Sequence, residues 1–223
     1  MLNKIILDLC GGTGGWSKPF KEDGYDVRVI TLPDFDVTKY GVVNEGRDIY
    51  FLSKKQDLIP IEEVYGILAA PPCNEFSIAK DHKLTRDLQK GLKVVNACRD
   101  IIKLCKPQFY AIENPVGHLR KFLGKPNYTF QPWWFGDPWT KRTDVWGKFN
   151  NPTRIYEEWE TVPKIKELYI RPGRTKPSIA FLHKSAKRYI PSFKCFKAET
   201  DAAFRAITPQ GFAKWFFEAN TFY

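Results

Sequence analysis

The feature that most constrains the fold is a series of short apolar runs separated by turns and helical segments. The runs cover residues 4–9, 25–31, 48–52, 65–70 and 109–113. Runs of this length are typical of buried strands, whereas residues 84–106 carry apolar side chains at helical spacing until Pro107 ends them. Residues 209–220 predict a final amphipathic helix. The alternation predicts an α/β protein with a doubly wound, mostly parallel sheet.

Three of the predicted strands end in sequences that are unusual for simple turns. They are residues 8–15, 70–77 and 112–117, which are rich in glycine, proline or polar side chains. In a doubly wound sheet the ligand crevice lies beyond the carboxyl ends of the strands. We therefore expect the three segments to open onto one face and to form the functional site.

The chain of 223 residues carries a net charge of +10, and most of the excess lies in one stretch. Residues 161–197 contain ten lysines and arginines but one acidic residue, with aromatic residues between them. A domain this basic usually meets a polyanion such as nucleic acid, although a solvated lysine-rich surface would have the same composition. We interpret residues 150–204 as a small basic cap, and residues 1–149 with 205–223 as the main domain.

The sequence also excludes several classes of protein. No apolar run approaches the roughly 20 residues that span a bilayer, and the amino terminus lacks the pattern of a secretory signal. The five cysteines are scattered without a Cys-x-x-Cys pair, so neither a disulfide framework nor a metal site is predicted. We expect an intracellular protein without membrane or metal.

The first strand end, residues 10–15, places four glycines between a strand and a helix. Glycines at such a position let a ligand approach the backbone and the N–H groups that begin the helix. Their spacing differs from Gly-x-Gly-x-x-Gly, which disfavours a nicotinamide cofactor and leaves a plain tight turn as the alternative.

Cys73 and Glu113 are the residues whose chemistry stands out at the other two strand ends. Cys73 follows two prolines, which hold it rigidly and remove two backbone donors. Glu113 ends an apolar strand, where an unpaired carboxylate is costly to bury. Cys73 is therefore either a small buried hydrophobe or a nucleophile, and Glu113 is either salt-bridged or directed at a ligand.

Taken together in this order and spacing, the motifs resemble those of the DNA cytosine-5 methyltransferases. The segments that carry the resemblance are residues 8–15, 45–49, 72–77, 113–115 and 205–209. The family patterns at these places are, in order, Asp-Leu-Phe-x-Gly-x-Gly-Gly, Gly-Asp-Ile, Pro-Cys-Gln with a later Ser, Glu-Asn-Val and Arg-x-Leu-Thr-Pro. The resemblance covers roughly residues 4–149 and 205–220.

The resemblance implies a Rossmann-like methyltransferase fold that binds S-adenosylmethionine. The residues that it assigns to the cofactor are Asp8, Cys10, Gly12, Thr13, Gly14, Gly15, Trp16, Asp34, Asp48, Ile49 and Pro71. Two positions depart from the family pattern. Cys10 replaces the Phe that stacks on the adenine, and Leu32 stands where an acidic residue is expected.

The resemblance also implies the catalytic residues. Cys73 would add to carbon 6 of cytosine as a thiolate, and Glu113 would protonate or hydrogen-bond N3. Lys141 or Arg142 would hold the cytosine carbonyl, because Thr143 stands where the family has its last Arg. Carbon 6 is inaccessible in stacked DNA, so the base must be flipped out of a duplex or the substrate must be single-stranded.

Residues 150–204 occupy the place of the family's target-recognition region, although they are much shorter. The implied partner is DNA. The residues that we expect to contact it are Ser77, Arg171, Arg174, Lys176, Lys184, Lys187 and Arg188. A region so reduced would suit an enzyme of a virus or a mobile element.

Two alternatives stay open from the sequence. The same chemistry could act on RNA, single-stranded DNA or a nucleotide, because the recognition region is short. The chain could instead be a degenerate family member that binds nucleic acid without turnover, because Cys10, Leu32 and Thr143 depart from the pattern.

Overall fold

The computed structural model of the protein describes residues 4–52, 58–78, 81 and 86–221. Its strands are β1 (Ile5–Leu9), β2 (Asp26–Ile30), β3 (Tyr40–Val43), β4 (Asp48–Phe51), β5 (Ile59–Pro60), β6 (Val64–Ala69), β7 (Phe109–Pro115), β8 (Tyr128–Phe130) and β9 (Thr143–Lys148). Its α-helices are α1 (Lys18–Glu22), α2 (Leu88–Cys105), α3 (Arg120–Leu123), α4 (Asp201–Ala206) and α5 (Gln210–Thr221). Within the described ranges, none of these helices combines the length and apolar character that crossing a lipid bilayer demands.

Six strands form one sheet in the order β2-β1-β6-β7-β9-β8. The first four strands are parallel, whereas β9 is antiparallel to β7 and β8 is antiparallel to β9. The predicted mostly parallel sheet is confirmed. From β1 the chain first moves outward to β2 and then returns to β6 on the other side of β1. Such a switch in direction opens a crevice at the carboxyl ends of β1 and β6.

Helices cover both faces of this sheet because successive residues of a strand point to opposite sides. Ile5 and Leu7 of β1 belong to an apolar cluster with Cys98 of α2. Ile6, which lies between them, belongs to a second cluster with Phe216 of α5. The two clusters confirm the doubly wound α/β arrangement.

The long helix α2 has a defined cap at each end. The carboxylate of Asp87 accepts a hydrogen bond from the N–H of Lys90 at 2.9 Å, so the helix begins at Leu88. Lys106 adopts a left-handed conformation with φ of 45°, and Pro107 follows it. Of the four residues predicted before Leu88, residues 84 and 85 lie outside the described residues, and the other two precede the helix.

The predicted strand at residues 48–52 corresponds to β4, but it belongs to a separate antiparallel sheet of β3, β4 and β5. The turn between β3 and β4 contains Asn44 and Glu45, with φ of 52° and 57°. Ile49 and Phe51 of β4 pack into the cluster on the α2 side of the main sheet. The small sheet therefore extends one layer of the core.

Residues 159–193 contain five short 3-10 segments, which pack around an apolar cluster of their own. Trp139 and Ile207, which lie on either side of the predicted cap, belong to the same cluster. The cap is thus attached to both segments of the main domain that border it. Its boundaries at residues 149 and 205 stay a prediction.

Candidate active site

The turn after β1 is built around the buried carboxylate of Asp8. Its Oδ2 accepts a hydrogen bond from the Ser17 hydroxyl at 2.6 Å, which joins the strand to the start of α1. A Cβ on Gly11 would lie 2.3 Å from the Asp8 carboxyl carbon, so this position requires glycine. Burial raises the pKa of Asp8 to about 6, although the Ser17 bond opposes the shift.

The middle of this turn is open to a ligand. Gly12 has φ of 56°, and a Cβ built there would meet nothing within 4 Å. Its N–H donates to the Thr31 hydroxyl at 3.3 Å, which fixes the turn beside the end of β2. Oδ1 of Asp8 is buried and has no hydrogen-bond partner among the described residues. The exposed backbone at Gly12 fits the approach of a ligand such as S-adenosylmethionine, whereas Asp8 is fully buried and acts on the turn through Ser17.

Helix α5 supports the same turn through its first residue and two of its aromatic side chains. The side-chain amide of Gln210 donates to the carbonyl of Gly15 at 2.9 Å. Trp16 is 2% exposed and packs against Phe212 and Phe216 of α5, with ring centroids 5.9 and 5.3 Å away. The indole of Trp16 is thus a core contact that holds the turn against α5.

The remaining residues assigned to the cofactor lie around the ends of β2 and β4. Asp34 is exposed, and the Asp48 carboxylate accepts a hydrogen bond from Asn44. The Ile49 side chain is fully buried in the core. Leu32, at the position expected to be acidic, is 71% exposed. The glycine turn is therefore fixed by several hydrogen bonds, whereas Asp34 and Leu32 are exposed at the surface.

The segment with Cys73 is held from both sides. The side-chain amide of Asn114 donates to the Pro71 carbonyl at 2.8 Å, and Asn114 itself is 1% exposed. The N–H groups of Phe76 and Ser77 both donate to the Cys73 carbonyl at 2.9 Å. Cys73 therefore sits in a fixed turn with its thiol half-buried.

Glu113 and Lys141 form an ion pair at the end of β7. Lys141 Nζ lies 3.8 Å from Glu113 Oε1, and each side chain is 15% exposed. Burial raises the pKa of Glu113, the Lys141 charge opposes this, and the Asp144 charge adds to it. A carboxyl with a raised pKa keeps its proton to a higher pH and can donate it to a base.

Both charges of this pair affect the pKa of the Cys73 thiol. Burial raises the pKa of Cys73, the Lys141 cation lowers it, and the Glu113 charge raises it further. Ala69 of β6 pairs with Ile112 of β7, and Asn114 bonds to the Pro71 carbonyl, so the segment with Cys73 lies beside the Glu113–Lys141 pair. Together, the Cys73 thiol, the Glu113 carboxyl and the Lys141 ammonium group can supply a nucleophile, a proton donor and a cation to one ligand.

Lys141 and Arg142, the two candidates for the cation of the site, have different surroundings in the structure. Lys141 reaches Glu113, whereas the Arg142 side chain is exposed and its carbonyl accepts a bond from Val116 N–H at 3.0 Å. The buried Thr143 hydroxyl donates to the Lys141 carbonyl at 2.9 Å. In the described part of the chain, no group of three or more His, Cys, Asp or Glu could hold a metal ion.

More than half of the chain matches the sequence model of a known protein family. Residues 5–130 match the sequence model of the family described as C-5 cytosine-specific DNA methylase. The chain belongs to this family. The matched range contains the glycine turn, Cys73 and Glu113, whereas Lys141 and the cap lie outside it.

Individual relatives are similar to part of this chain. The type II methyltransferase M.DdeI of Desulfomicrobium norvegicum is 31% identical over 51% of this chain and 28% of its own length. A Frog virus 3 protein assigned as a DNA (cytosine-5)-methyltransferase is 28% identical over 63% of this chain and 69% of its own. A crystal structure of a prophage-encoded Escherichia coli protein, assigned as a DNA modification methyltransferase, covers 65% of this chain and 46% of its own at 16% identity and a TM-score of 0.42. The chain thus spans between about a quarter and two thirds of the relatives that it matches.

Two carboxylates that the structure buries were not identified from the sequence. Asp144, opposite Asn114 in the β7–β9 pairing, accepts two bonds from Arg120 at 2.6 Å each. Asp137 accepts the N–H of Gly211 at 2.8 Å and so caps the start of α5. Burial raises the pKa of Asp137 to about 7. Asp and Glu are rarely fully buried unless paired, but the sequence does not show which of them are buried.

The predicted nucleic-acid contacts divide into two groups. Arg171 and Arg174 lie over the Phe181 ring, 3.8 and 4.6 Å from its centroid, and Lys176 lies 4.9 Å from the Trp133 centroid. By contrast, the ammonium groups of Lys184 and Lys187 bond to backbone carbonyls within the cap, and Arg188 donates to the Tyr189 hydroxyl at 2.7 Å. Ser77 lies beside the Cys73 turn, in a bridge with Gly117.

Proposed function

We propose that the protein transfers a methyl group from S-adenosylmethionine to carbon 5 of cytosine in DNA through a covalent adduct with Cys73. The observation that carries this proposal is the buried hydrogen bond from Asn114 to the Pro71 carbonyl, which holds the segment with Cys73 beside the Glu113–Lys141 ion pair. Membership of the cytosine-5 methylase family supports the choice of substrate.

The first step is addition of the thiolate to the ring. Burial favours the neutral thiol of Cys73, and the nearby Lys141 charge favours the thiolate that must form. When sulfur bonds to carbon 6, the electron pair of the C5–C6 double bond forms a C4–C5 double bond, and the displaced C4–N3 pair takes up a proton at N3. Glu113, with its raised pKa, donates a proton or hydrogen bond at N3 and makes this addition easier.

The adduct is an enamine whose carbon 5 is nucleophilic. S-adenosylmethionine supplies the methyl group as an electrophilic sulfonium. A base, for which water suffices, then takes the carbon 5 proton; the pair of that C–H bond forms the C5–C6 double bond again, and the C6–S bond breaks to release the Cys73 thiolate. The residues that would hold the cofactor are those of the turn at residues 10–15, above Asp8, where the structure leaves open space at Gly12.

Contacts between the cap and the segment with Lys141 support a role of the cap in binding the strand that carries the target base. Thr140, next to Lys141, donates its N–H to the Pro177 carbonyl at 2.8 Å and forms a bridge with Ser178. The arginines over Phe181 lie in the same cap segment, so cations for phosphate contacts are attached close to the catalytic pair.

Methyl transfer tests this proposal directly. Labelled S-adenosylmethionine is incubated with unmethylated duplex DNA, and 5-methylcytosine is measured for wild type, Cys73→Ala and the exposed control Cys195→Ala. We expect transfer by wild type and by the control, but none by Cys73→Ala. Transfer that survives in Cys73→Ala would refute the mechanism.

The same assay distinguishes the alternatives on substrate and turnover. Preference for heat-denatured DNA, RNA or cytidine nucleotides over the duplex would move the substrate to that class. Absence of any transfer, together with absence of S-adenosylmethionine binding in calorimetry, would favour the alternative of a nucleic-acid-binding protein without activity.

A further inference from the structure

The segment that follows Cys73, residues 74–77, packs against the segment that follows β7, residues 116–118. Two N–H groups, of Phe76 and Ser77, donate to the Cys73 carbonyl. Ser77 also forms a bridge with Gly117, and the Phe76 carbonyl accepts the N–H of His118 at 2.8 Å. A Cβ on Gly117 would lie 2.4 Å from the Phe76 carbonyl oxygen, so the two backbones are in close contact.

Arg86 binds this segment through three hydrogen bonds. Its guanidinium donates to the Glu75 carbonyl at 2.5 Å and to the Ser77 carbonyl at 3.1 Å. It also donates to the Asp81 carboxylate at 2.6 Å. The Arg86 side chain is 16% exposed, so these charge-assisted bonds are partly shielded from water. One planar group thus spans the carbonyls on either side of Phe76.

Asp81 connects the guanidinium to the opposite segment. Its Oδ1, which accepts the Arg86 bond, also lies 2.7 Å from His118 Nε2. The side chains of Arg86, Asp81 and His118 therefore join the same two segments that the backbone joins. Together they fix the path of the chain immediately after the nucleophile.

The segment has a hydrophobic anchor that does not depend on Arg86. Phe76 is fully buried and belongs to a cluster with Val95 of α2, Leu119 and Trp146. Loss of the guanidinium would therefore loosen the backbone around Phe76 without removing its core contacts. A variant of Arg86 is expected to fold.

We propose that Arg86 is a positioning residue for Cys73, and this inference rests on the proposed function. Arg86 acts through the carbonyls of Glu75 and Ser77, which hold the turn whose first carbonyl belongs to Cys73. The turn in turn keeps the thiol within range of Lys141 and Glu113. A lysine at this position would keep the charge but lack the planar fork that spans two carbonyls.

The test measures the Cys73 thiol itself as well as turnover. Wild type, Arg86→Ala, Arg86→Lys and the control Arg99→Ala, an exposed residue of α2, are treated with iodoacetamide without DNA. Mass spectrometry gives the alkylation rate at each cysteine, so that buried Cys98 and Cys105 report on general loosening. Methyl-transfer kcat, KM for DNA and the dissociation constant of S-adenosylmethionine are measured in parallel.

We expect Arg86→Ala to speed alkylation of Cys73 about tenfold, the effect of losing a charged hydrogen bond, while Cys98 and Cys105 stay at the wild-type rate. We expect kcat to fall by about tenfold to a hundredfold, as misplacement of a reacting group does, with little change in cofactor binding. Arg86→Lys should recover only part of both effects, and Arg99→Ala should match wild type.

The proposal is overturned if Cys73 alkylation and kcat in Arg86→Ala both match wild type. It is also overturned if all three cysteines accelerate equally, because Arg86 would then support the fold in general. If wild type itself transfers no methyl group, the proposed function fails, whereas the alkylation rates still decide whether Arg86 positions Cys73.

Discussion

The side-chain amide of Asn114 donates to the carbonyl oxygen of Pro71 at 2.8 Å, and so ties the end of β7 to the segment that carries Cys73. The bond is fully buried and joins positions 43 residues apart in the chain. Since Glu113 immediately precedes Asn114, this contact helps to align Glu113, the proposed proton donor, with Cys73, the proposed nucleophile.

Asn114→Asp should therefore impair both stability and turnover. The carboxylate would face the Pro71 carbonyl with two acceptors together, and a buried unsatisfied polar group costs about 1–3 kcal/mol. We expect a lower midpoint of thermal unfolding and a lower kcat, whereas Asn96→Asp on the exposed side of α2 should change neither. An Asn114→Asp enzyme with wild-type kcat would show that the contact does not align the two groups.

Lys141→Ala should shift the pH dependence of the reaction. The Lys141 charge lowers the pKa of Cys73, so its removal raises that pKa and moves the rising limb of kcat/KM toward higher pH. Lys141→Arg keeps a cation and should restore most of the profile. The measurement is kcat/KM against pH for the three proteins, and an unmoved limb in Lys141→Ala would contradict the assigned contact.

Asp8 and Asp137 should make the folded state less stable as pH rises. Burial raises the pKa of Asp8 from 3.8 to about 6 and that of Asp137 from 3.8 to about 7. At a pH between the ordinary and the raised pKa of each group, the folded state therefore binds more protons than the unfolded state. The free energy of unfolding should fall as pH increases from about 4 to about 7. Urea unfolding across this range should show a flatter dependence for Asp137→Asn than for wild type, and equal slopes would contradict the raised pKa.

Replacement of Arg171 and Arg174 by Ala should weaken DNA binding in a salt-dependent way. If each guanidinium neutralises one phosphate, the slope of log K against log salt should fall by about 2 in magnitude for the double variant. Fluorescence anisotropy with a labelled duplex at several salt concentrations gives this slope. The control is Lys103→Ala, which removes an exposed cation of α2. An unchanged slope in the double variant would show that these two arginines do not contact DNA phosphates.

The fold could be predicted from the sequence where the signals are local. The apolar runs at β1, β6 and β7 and the spacing of α2 gave a parallel sheet with helices on both faces, as observed. The separate sheet of β3 to β5 and the antiparallel edge of β8 and β9 were not predicted. Their partners are chosen by packing between distant segments, which periodicity in a single run does not reveal.

The candidate site shows the same division. The glycine turn and Cys73 stand out because each follows a strand, and Glu113 stands out because it interrupts the apolar pattern of β7 two residues before its end. The choice between Lys141 and Arg142 depends on the pairing of β9 with β7, and the roles of Asn114 and Arg86 depend on carbonyl groups that no sequence pattern marks.

Capture of the covalent adduct tests the central claim most directly. In DNA with 5-fluorocytosine the carbon 5 substituent cannot leave as a proton does, so the adduct persists after methyl transfer. Protease digestion and mass spectrometry should then find the nucleotide bonded to the sulfur of Cys73, and no cross-link should form with Cys73→Ser. A cross-link at Cys10 or Cys195, or methylation of ordinary cytosine without any cross-link at Cys73, would contradict the account.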